Sequence, residues 1–345
     1  MAVLITGGAG FIGYHVAKSF IASGIPCVLV DNLNSYYSVD LKFSRLNDIG
    51  FPVDDFVPWT EHVDNSGNVF CCIDISDKKS LEVVFRNYEF DIVIHMAAQE
   101  GVSSSYKKPY AYIKSNINGF FNVLDLCRIY GVRHFIYASS SSVYGDTDKE
   151  SFTEEDATYN PKSLYAATKK SNELLAASYA SMFGMRTTGL RFFSVYGEYG
   201  RPDMAIWKWT DSILIGKPIT VYGDGTMERD FTYVGDVVRC IRLVTEDDEI
   251  DTMDKAESCF GRSDVFNVGN GHPIALNTVV ETLERLCNRS VLIKHEDAPA
   301  CDVKRTCADM TKFKERFGYV PDTNFAYGIE RFTSWLNIFI YDGQV

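Results

Sequence analysis

The chain has 345 residues, 46% of them hydrophobic, and a formal net charge of −12, with a sequence pI near 5.0. This supports a sizeable core and more than one typical domain, and the acidic balance excludes an overall electrostatic footprint for nucleic acid while leaving room for a local basic pocket. No stretch approaches the roughly 20 apolar residues of a membrane helix. The start of the chain lacks a basic leader, and nine scattered cysteines without a CxxC pair or neighbouring histidines read as reduced thiols in a cytoplasmic protein with no metal centre.

Residues 2–6 form a short apolar, β-prone run that ends in Gly7-Gly8-Ala9-Gly10-Phe11-Ile12-Gly13, and residues 11–23 read as an amphipathic helix. Strand, glycine turn and helix in that order are the context of a dinucleotide fingerprint. The glycines admit a pyrophosphate close to backbone amides, and the helix adds its positive end. A second strand over 26–30 is closed by Asp31. An acid there bonds both adenosine ribose hydroxyls and repels a 2′-phosphate, which favours NAD over NADP.

A third strand, 69–73, leads into Asp74-Ile75, a helix follows near 78–87, and a fourth strand, 91–95, leads into Met96-Ala97-Ala98-Gln99. Apolar runs ending in small or polar residues are expected of buried parallel strands that deliver groups to one sheet edge. Residues 47–68, with Pro52, Pro58 and Trp59, read as a surface excursion, and His95 reads as a packed core histidine. Residues 110–130 read as one long helix whose apolar surface, lined by Phe120, Phe121, Val123, Leu124 and Leu126, looks too broad for one core.

A fifth strand, 135–139, delivers Ser139-Ser140-Ser141-Ser142. Tyr165 and Lys169 stand four apart in a run, 164–179, rich in Ala, Leu and Glu and free of Gly and Pro, so a phenol and an ammonium share one helix face. A tyrosine with a pKa near 10 is a poor base at neutral pH. The ammonium, with a nicotinamide cation beside it, would favour the phenolate; lowering the pKa by roughly three units corresponds to about 4 kcal/mol. Such a group takes a hydroxyl proton while a hydride leaves the same carbon.

A sixth strand over 186–193 precedes Ser194, Gly200-Arg201-Pro202-Asp203-Met204 opens a helical stretch to 215, and a short strand reaches Tyr222 before Arg229-Asp230-Phe231. Residues 245–262 read as an acidic, exposed loop. The expected organisation is a Rossmann-type doubly wound parallel α/β sheet over 1–194, with segments near 235–246 and 264–268 returning to it. Residues 195–345 would mainly form a smaller α/β substrate-binding domain.

These motifs, over essentially the whole chain, resemble the extended short-chain dehydrogenase/reductase family of NAD-dependent nucleotide-sugar epimerases and dehydratases. The segments Asp31-Asn32-Leu33-Asn34-Ser35-Tyr36-Tyr37, Ala97-Ala98-Gln99-Glu100-Gly101-Val102 and Gly200-Arg201-Pro202-Asp203-Met204-Ala205 are similar to UDP-glucuronate 4-epimerases. The resemblance implies an isomerase with Tyr165, Lys169 and Ser140 as catalytic residues. It implies NAD held by Gly7, Gly10, Phe11, Ile12, Gly13, Asp31, Asn32, Asp74, Ile75, Ala97, Ala98, Gln99 and Asn116, together with Tyr165 and Lys169. It implies a UDP-sugar, UDP-glucuronate or UDP-galacturonate, held by Ser140, Ser141, Ser142, Ser194, Arg201, Arg229 and Asp302. A homodimer through a four-helix contact is implied in part by the same resemblance. Two departures are a longer 47–68 segment and Gly235 where an acid is usual.

Family members share the oxidation of the sugar and differ in the fate of the keto intermediate. A 4,6-dehydratase carries Asp-Glu where this chain has Ser141-Ser142, and a UDP-glucuronate decarboxylase has Glu in place of Ser142. Ser194 replaces the Asn of UDP-galactose epimerases, which favours an acidic sugar. The alternatives left open are the decarboxylase, a neutral UDP-sugar epimerase, and a non-catalytic NAD-binding scaffold.

Overall fold

A computed structural model describes residues 2–52, 60–247, 262–299 and 301–341. The strands are β1 (Ala2–Thr6), β2 (Cys27–Asp31), β3 (Glu61–Val63), β4 (Val69–Cys72), β5 (Phe90–His95), β6 (His134–Ser140) and β7 (Arg186–Phe192). They are followed by β8 (Ser194–Tyr196), β9 (Ile219–Tyr222), β10 (Glu228–Arg229), β11 (Phe231–Tyr233), β12 (Ser263–Val268), β13 (Ile274–Ala275) and β14 (Ile293–Glu296). The helices are α1 (Phe11–Ala22), α2 (Val39–Asp48), α3 (Lys78–Asn87), α4 (Ser104–Lys107), α5 (Pro109–Tyr112) and α6 (Phe120–Ile129). After them come α7 (Leu164–Phe183), α8 (Ala205–Leu214), α9 (Val234–Thr245), α10 (Leu276–Cys287), α11 (Thr311–Phe317) and α12 (Phe325–Tyr341).

One sheet of eight strands runs in the order β12-β7-β6-β5-β1-β2-β4-β3. All its pairings are parallel except β3 against β4. The near-continuous apolar runs of the central strands follow from burial on both faces. In β1, Val3 and Ile5 join Leu29 and Ile94 on one face with Tyr14 of α1 and Val237 of α9. Leu4 joins Val30 and Val93 on the other with Leu81 of α3, Phe120 of α6 and Ala176 of α7. A third core gathers Trp209, Val221, Phe231, Val280, Phe332 and Leu336 from the elements after β7.

Residues 47–68 are not only an excursion. Helix α2 reaches into them, and β3 adds an antiparallel edge to the sheet. Residues 53–59 and the greater part of the acidic 245–262 segment lie outside the described residues. The single helix read over 110–130 is broken into α5, a π-helical turn over Ile113–Gly119, and α6. No helix-breaking conformation marks the turn, because the backbone stays right-handed helical at Tyr112 and Phe120 on either side of it.

Helix α7 starts at Ser163, whose hydroxyl accepts from Ala166 N, and ends at Gly184 in the left-handed region. Its angle to the sheet is set by a buried fork: Arg191 Nε and Nη2 of β7 donate to Glu173 Oε1 and Oε2 at 2.8 and 2.9 Å. Ser139 Oγ of β6 donates to the same carboxylate at 2.6 Å. Burial would raise the Glu173 pKa, but the Arg191 and Ser139 bonds outweigh it and hold it below the usual range. Replacing Glu173→Gln leaves Arg191 buried without its counter-charge, so urea denaturation should read a loss of about 3–5 kcal/mol.

Candidate active site

The end of β1 turns at Gly7 (φ +70°), where a Cβ would stand 2.7 Å from Ala97 N. A Cβ at Gly13 would run into the Gly7 carbonyl. This packing brings the start of α1 against the ends of β1 and β5, and Gly7, Gly10, Phe11, Ile12 and Gly13 line one long cleft. No side chain caps the N-terminus of α1, which leaves its first amides to a ligand phosphate.

At the neighbouring strand end Asp31 and Asn32 line the same cleft. Asp31 Oδ1 accepts from Leu33 N at 2.8 Å and Oδ2 from Ala9 N at 3.3 Å, so the acid is oriented by backbone. Helix α2, which the sequence pattern did not suggest, supplies the wall beyond it. Lys42 Nζ lies 3.8 Å from Asp31 Oδ1 and 5.1 Å above the Tyr37 ring. Behind them Arg45 is fully buried and donates to Tyr37 Oη at 2.6 Å, Ala9 O at 2.9 Å and Tyr199 O at 2.7 Å. The signal was the apolar and basic spacing Leu41-Lys42 and Arg45-Leu46. A glycine cradle, an uncapped helix start and an acid fixed at the second strand end fit a dinucleotide.

Ile75 lines the cleft and Asp74 does not. The Asp74 carboxylate turns to Lys114 Nζ (2.9 Å) and Ser76 N (2.9 Å). Ala97, Ala98 and Gln99 line the middle of the cleft. Asn116, in the π turn, supports them from behind: Oδ1 accepts from Gln99 N at 2.7 Å, and Nδ2 donates to Gln99 O at 3.0 Å and Thr168 Oγ1 at 3.1 Å. His95 is buried, bonds Thr6 Oγ1 through Nδ1 at 2.8 Å, and is pushed down to about 3 by burial and then by Lys169, so it is a neutral core group.

At the far end stand Ser140, Ser141, Ser142, Tyr165, Ser194 and Arg201, all lining the cleft. The Ser140 and Ser142 hydroxyls are 2.9 Å apart, and Ser140 Oγ also accepts from Ser142 N at 3.1 Å. Lys169 sits one turn behind Tyr165, its Nζ 5.8 Å from the ring and donating to Ala138 O at 2.9 Å. The phenol itself donates to Glu100 Oε2 at 3.0 Å.

The phenol's ionised neighbours are thus a hydrogen-bonded carboxylate as well as the ammonium behind its ring. Burial and then the Glu100 carboxylate raise the Tyr165 pKa well above 10, against a hydrogen bond from Ser140, while burial lowers that of Lys169. The protein's own groups therefore favour the protonated phenol, and a nicotinamide cation would act against them. Glu100 was visible only inside a matched segment, because its two partners lie 65 and about 100 residues away.

Arg201 is held by a fork to Asp203, Nε to Oδ1 at 2.9 Å and Nη2 to Oδ2 at 2.7 Å. Tyr36, from the loop after β2, donates to Asp203 Oδ2 at 3.2 Å and contacts Ser104 Oγ at 3.0 Å, so it joins the two ends of the cleft. Arg229 and Asp302 are not brought to the cleft wall; they form an ion pair with each other.

The sequence matches the profile described as "NAD dependent epimerase/dehydratase family" over residues 3–269. A "Probable UDP-glucuronate 4-epimerase" of Rhizobium meliloti (strain 1021) is 38% identical over 97% of this chain and 96% of its own length. The "UDP-glucuronate 4-epimerase" of Thermodesulfobacterium geofontis (strain OPF15) is 36% identical over 96% and 95%. Among solved structures, a UDP-glucuronic acid 4-epimerase from Bacillus cereus, in complex with UDP-glucuronic acid and NAD, superposes with a TM-score of 0.85 at 28% identity, covering 98% of this chain and 99% of that one.

Gly13→Ala places a methyl group against backbone that cannot give way. The purified variant should keep its far-UV circular dichroism but retain almost no NAD, read by absorbance after acid release.

Proposed function

We propose, from the premise that this chain belongs to the NAD dependent epimerase/dehydratase family, that it is an NAD-dependent 4-epimerase interconverting UDP-glucuronate and UDP-galacturonate. The observation that carries this reading is the single cleft in which a glycine cradle, Tyr165 and the hydroxyls of Ser140, Ser141, Ser142 and Ser194 meet. Names of full-length relatives support the substrate. NAD, held by the glycine cradle and Asp31, would supply a hydride acceptor and then donor for sugar C4, so the cycle would have no net redox change.

The chain's own groups do the rest. Tyr165, once its own proton has left and it stands as phenolate, would take the proton of the 4-hydroxyl on Oη and give it back, and Ser140 keeps the proton path short. Lys169 holds a positive charge behind the ring. The 4-keto form of a uronate is a β-keto acid prone to lose CO₂. Neutral donors from Ser141, Ser142 and Ser194 would fix the carboxylate so that its bond to C5 stays out of line with the carbonyl π system. Arg201 adds charge at that end. Arg229 and Asp302 would receive the diphosphate and ribose, with residues 1–194 serving the dinucleotide and 195–345 mainly the UDP-sugar.

The same reading includes a homodimer in the cytoplasm. Its support is an outward apolar face on the π turn, α6 and α7, where Leu174 is 62% and Ile113 40% exposed and a groove runs between Ile117, Ala167 and Leu175. The eight cysteines among the described residues are all free, which suits a reducing compartment. Among the described residues no helix is long and apolar enough to cross a membrane.

Tyr165→Phe should keep NAD bound and lower epimerisation about 10²–10⁴-fold, read by mass spectrometry and chromatography of the UDP-uronates. UDP-pentose and CO₂ as main products from UDP-glucuronate would replace the epimerase with a decarboxylase. Leu174→Arg should convert a dimer to a monomer in light scattering; an unchanged mass would remove the helical face from the contact.

A further inference from the structure

Glu100 occupies the point where the proposed chemistry has its two fixed ends. Its Oε2 accepts from Tyr165 Oη at 3.0 Å and lies 3.3 Å from Arg201 Nη1. The remaining edge of the guanidinium is taken by Asp203, so one cation faces two carboxylates and offers no unbalanced positive charge. Burial would depress the Arg201 pKa, and Asp203 and Glu100 more than offset it.

The backbone under Glu100 is pinned. Tyr112 Oη lies 2.6 Å from both Glu100 O and Gly101 O, and Asn116 clamps Gln99. The side chain is not pinned: it is 31% exposed at the cleft and turns about three single bonds. A carboxylate on that tether can leave Tyr165 and Arg201 without moving the loop.

We propose that Glu100 is a specificity-determining residue that stands in for the substrate's own carboxylate and is exchanged for it when a UDP-uronate binds. This rests on UDP-glucuronate being the substrate. The incoming 4-hydroxyl takes Tyr165, the incoming carboxylate takes Arg201 Nη1 and the serine hydroxyls, and Glu100 rotates toward solvent. The exchange has two effects. Trading one anion for another on Arg201 weakens binding, which raises KM. Removing Glu100 from the phenol takes away one of the two influences that hold the proton on Tyr165, which favours the basic form once the substrate is seated. A neutral hexose has no anion to hand to Arg201. Glu100 then stays beside Tyr165 and keeps it protonated, so discrimination falls on kcat.

The test is a comparison of NAD-loaded wild type with Glu100→Gln and Glu100→Ala on UDP-glucuronate and on UDP-glucose. Both variants should lower KM for UDP-glucuronate about fivefold or more with kcat little changed, the pattern of a lost competitor for the ground state. They should raise kcat for UDP-glucose about tenfold, the effect of a one-unit fall in phenol pKa at fixed pH. NAD content and inhibition by UDP, which lacks the sugar, should match wild type and show that the cleft is intact. A raised KM for UDP-glucuronate, or constants unchanged for both sugars, overturns the exchange while the substrate reading stands. Wild type that epimerises UDP-glucose and ignores UDP-glucuronate overturns the substrate reading, and the exchange falls with it.

Discussion

The buried fork between Arg191 and Glu173 is the constraint on which the site depends. Both side chains are almost fully enclosed, so their desolvation is costly and the pair adds little net stability against an apolar packing of the same volume. What it supplies is orientation. It fastens α7 across β6 and β7 through a rigid, planar contact, and the first two turns of that helix carry Tyr165 and Lys169. The fork continues through Arg191 Nη1 to Tyr144 Oη at 2.9 Å, and from Tyr144 to Asn267 Oδ1 of β12 at 2.6 Å. Helix α7, the serine turn and the last strand of the sheet are thereby fixed to one another by polar bonds where the surroundings exclude water.

The parallel sheet does the complementary task. Because both its faces are buried, strand ends at one edge are where polar groups can gather, and β1, β2, β5 and β6 each deliver a part of the cleft there. Groups that would be costly inside the sheet are tolerated at that edge because ligand, backbone amides and neighbouring loops meet their bonding needs. The helical packing behind the edge converts a row of loop residues into fixed positions, as Asn116 does for Gln99.

Much of this was legible in the residues. The glycine turn, Asp31, the serine run and the Tyr165–Lys169 spacing are local patterns, and each lies where its neighbours in sequence suggested. What escaped was set by contacts between distant segments. Glu100 acquires meaning only from Tyr165 and Arg201, and the pairing of Asp74 with Lys114, forty residues on, was not legible. Lys42 and Arg45 sit on α2, whose place in the cleft wall is set by contacts to Tyr37, Ala9 and Tyr199. The surroundings of Tyr165 were only half legible for a physical reason: a lysine four residues on was visible, whereas burial and a carboxylate from another strand end were not.

Tyr36 belongs to the loop that follows Asp31, yet its hydroxyl is bonded to Asp203, the residue that holds Arg201. A residue shortly after the acid at the second strand end is therefore tied to the residue that orients Arg201 at the far end of the cleft. On the proposed reading, any coupling between the two ends is reciprocal, so dinucleotide and sugar nucleotide would change each other's affinity by the same factor.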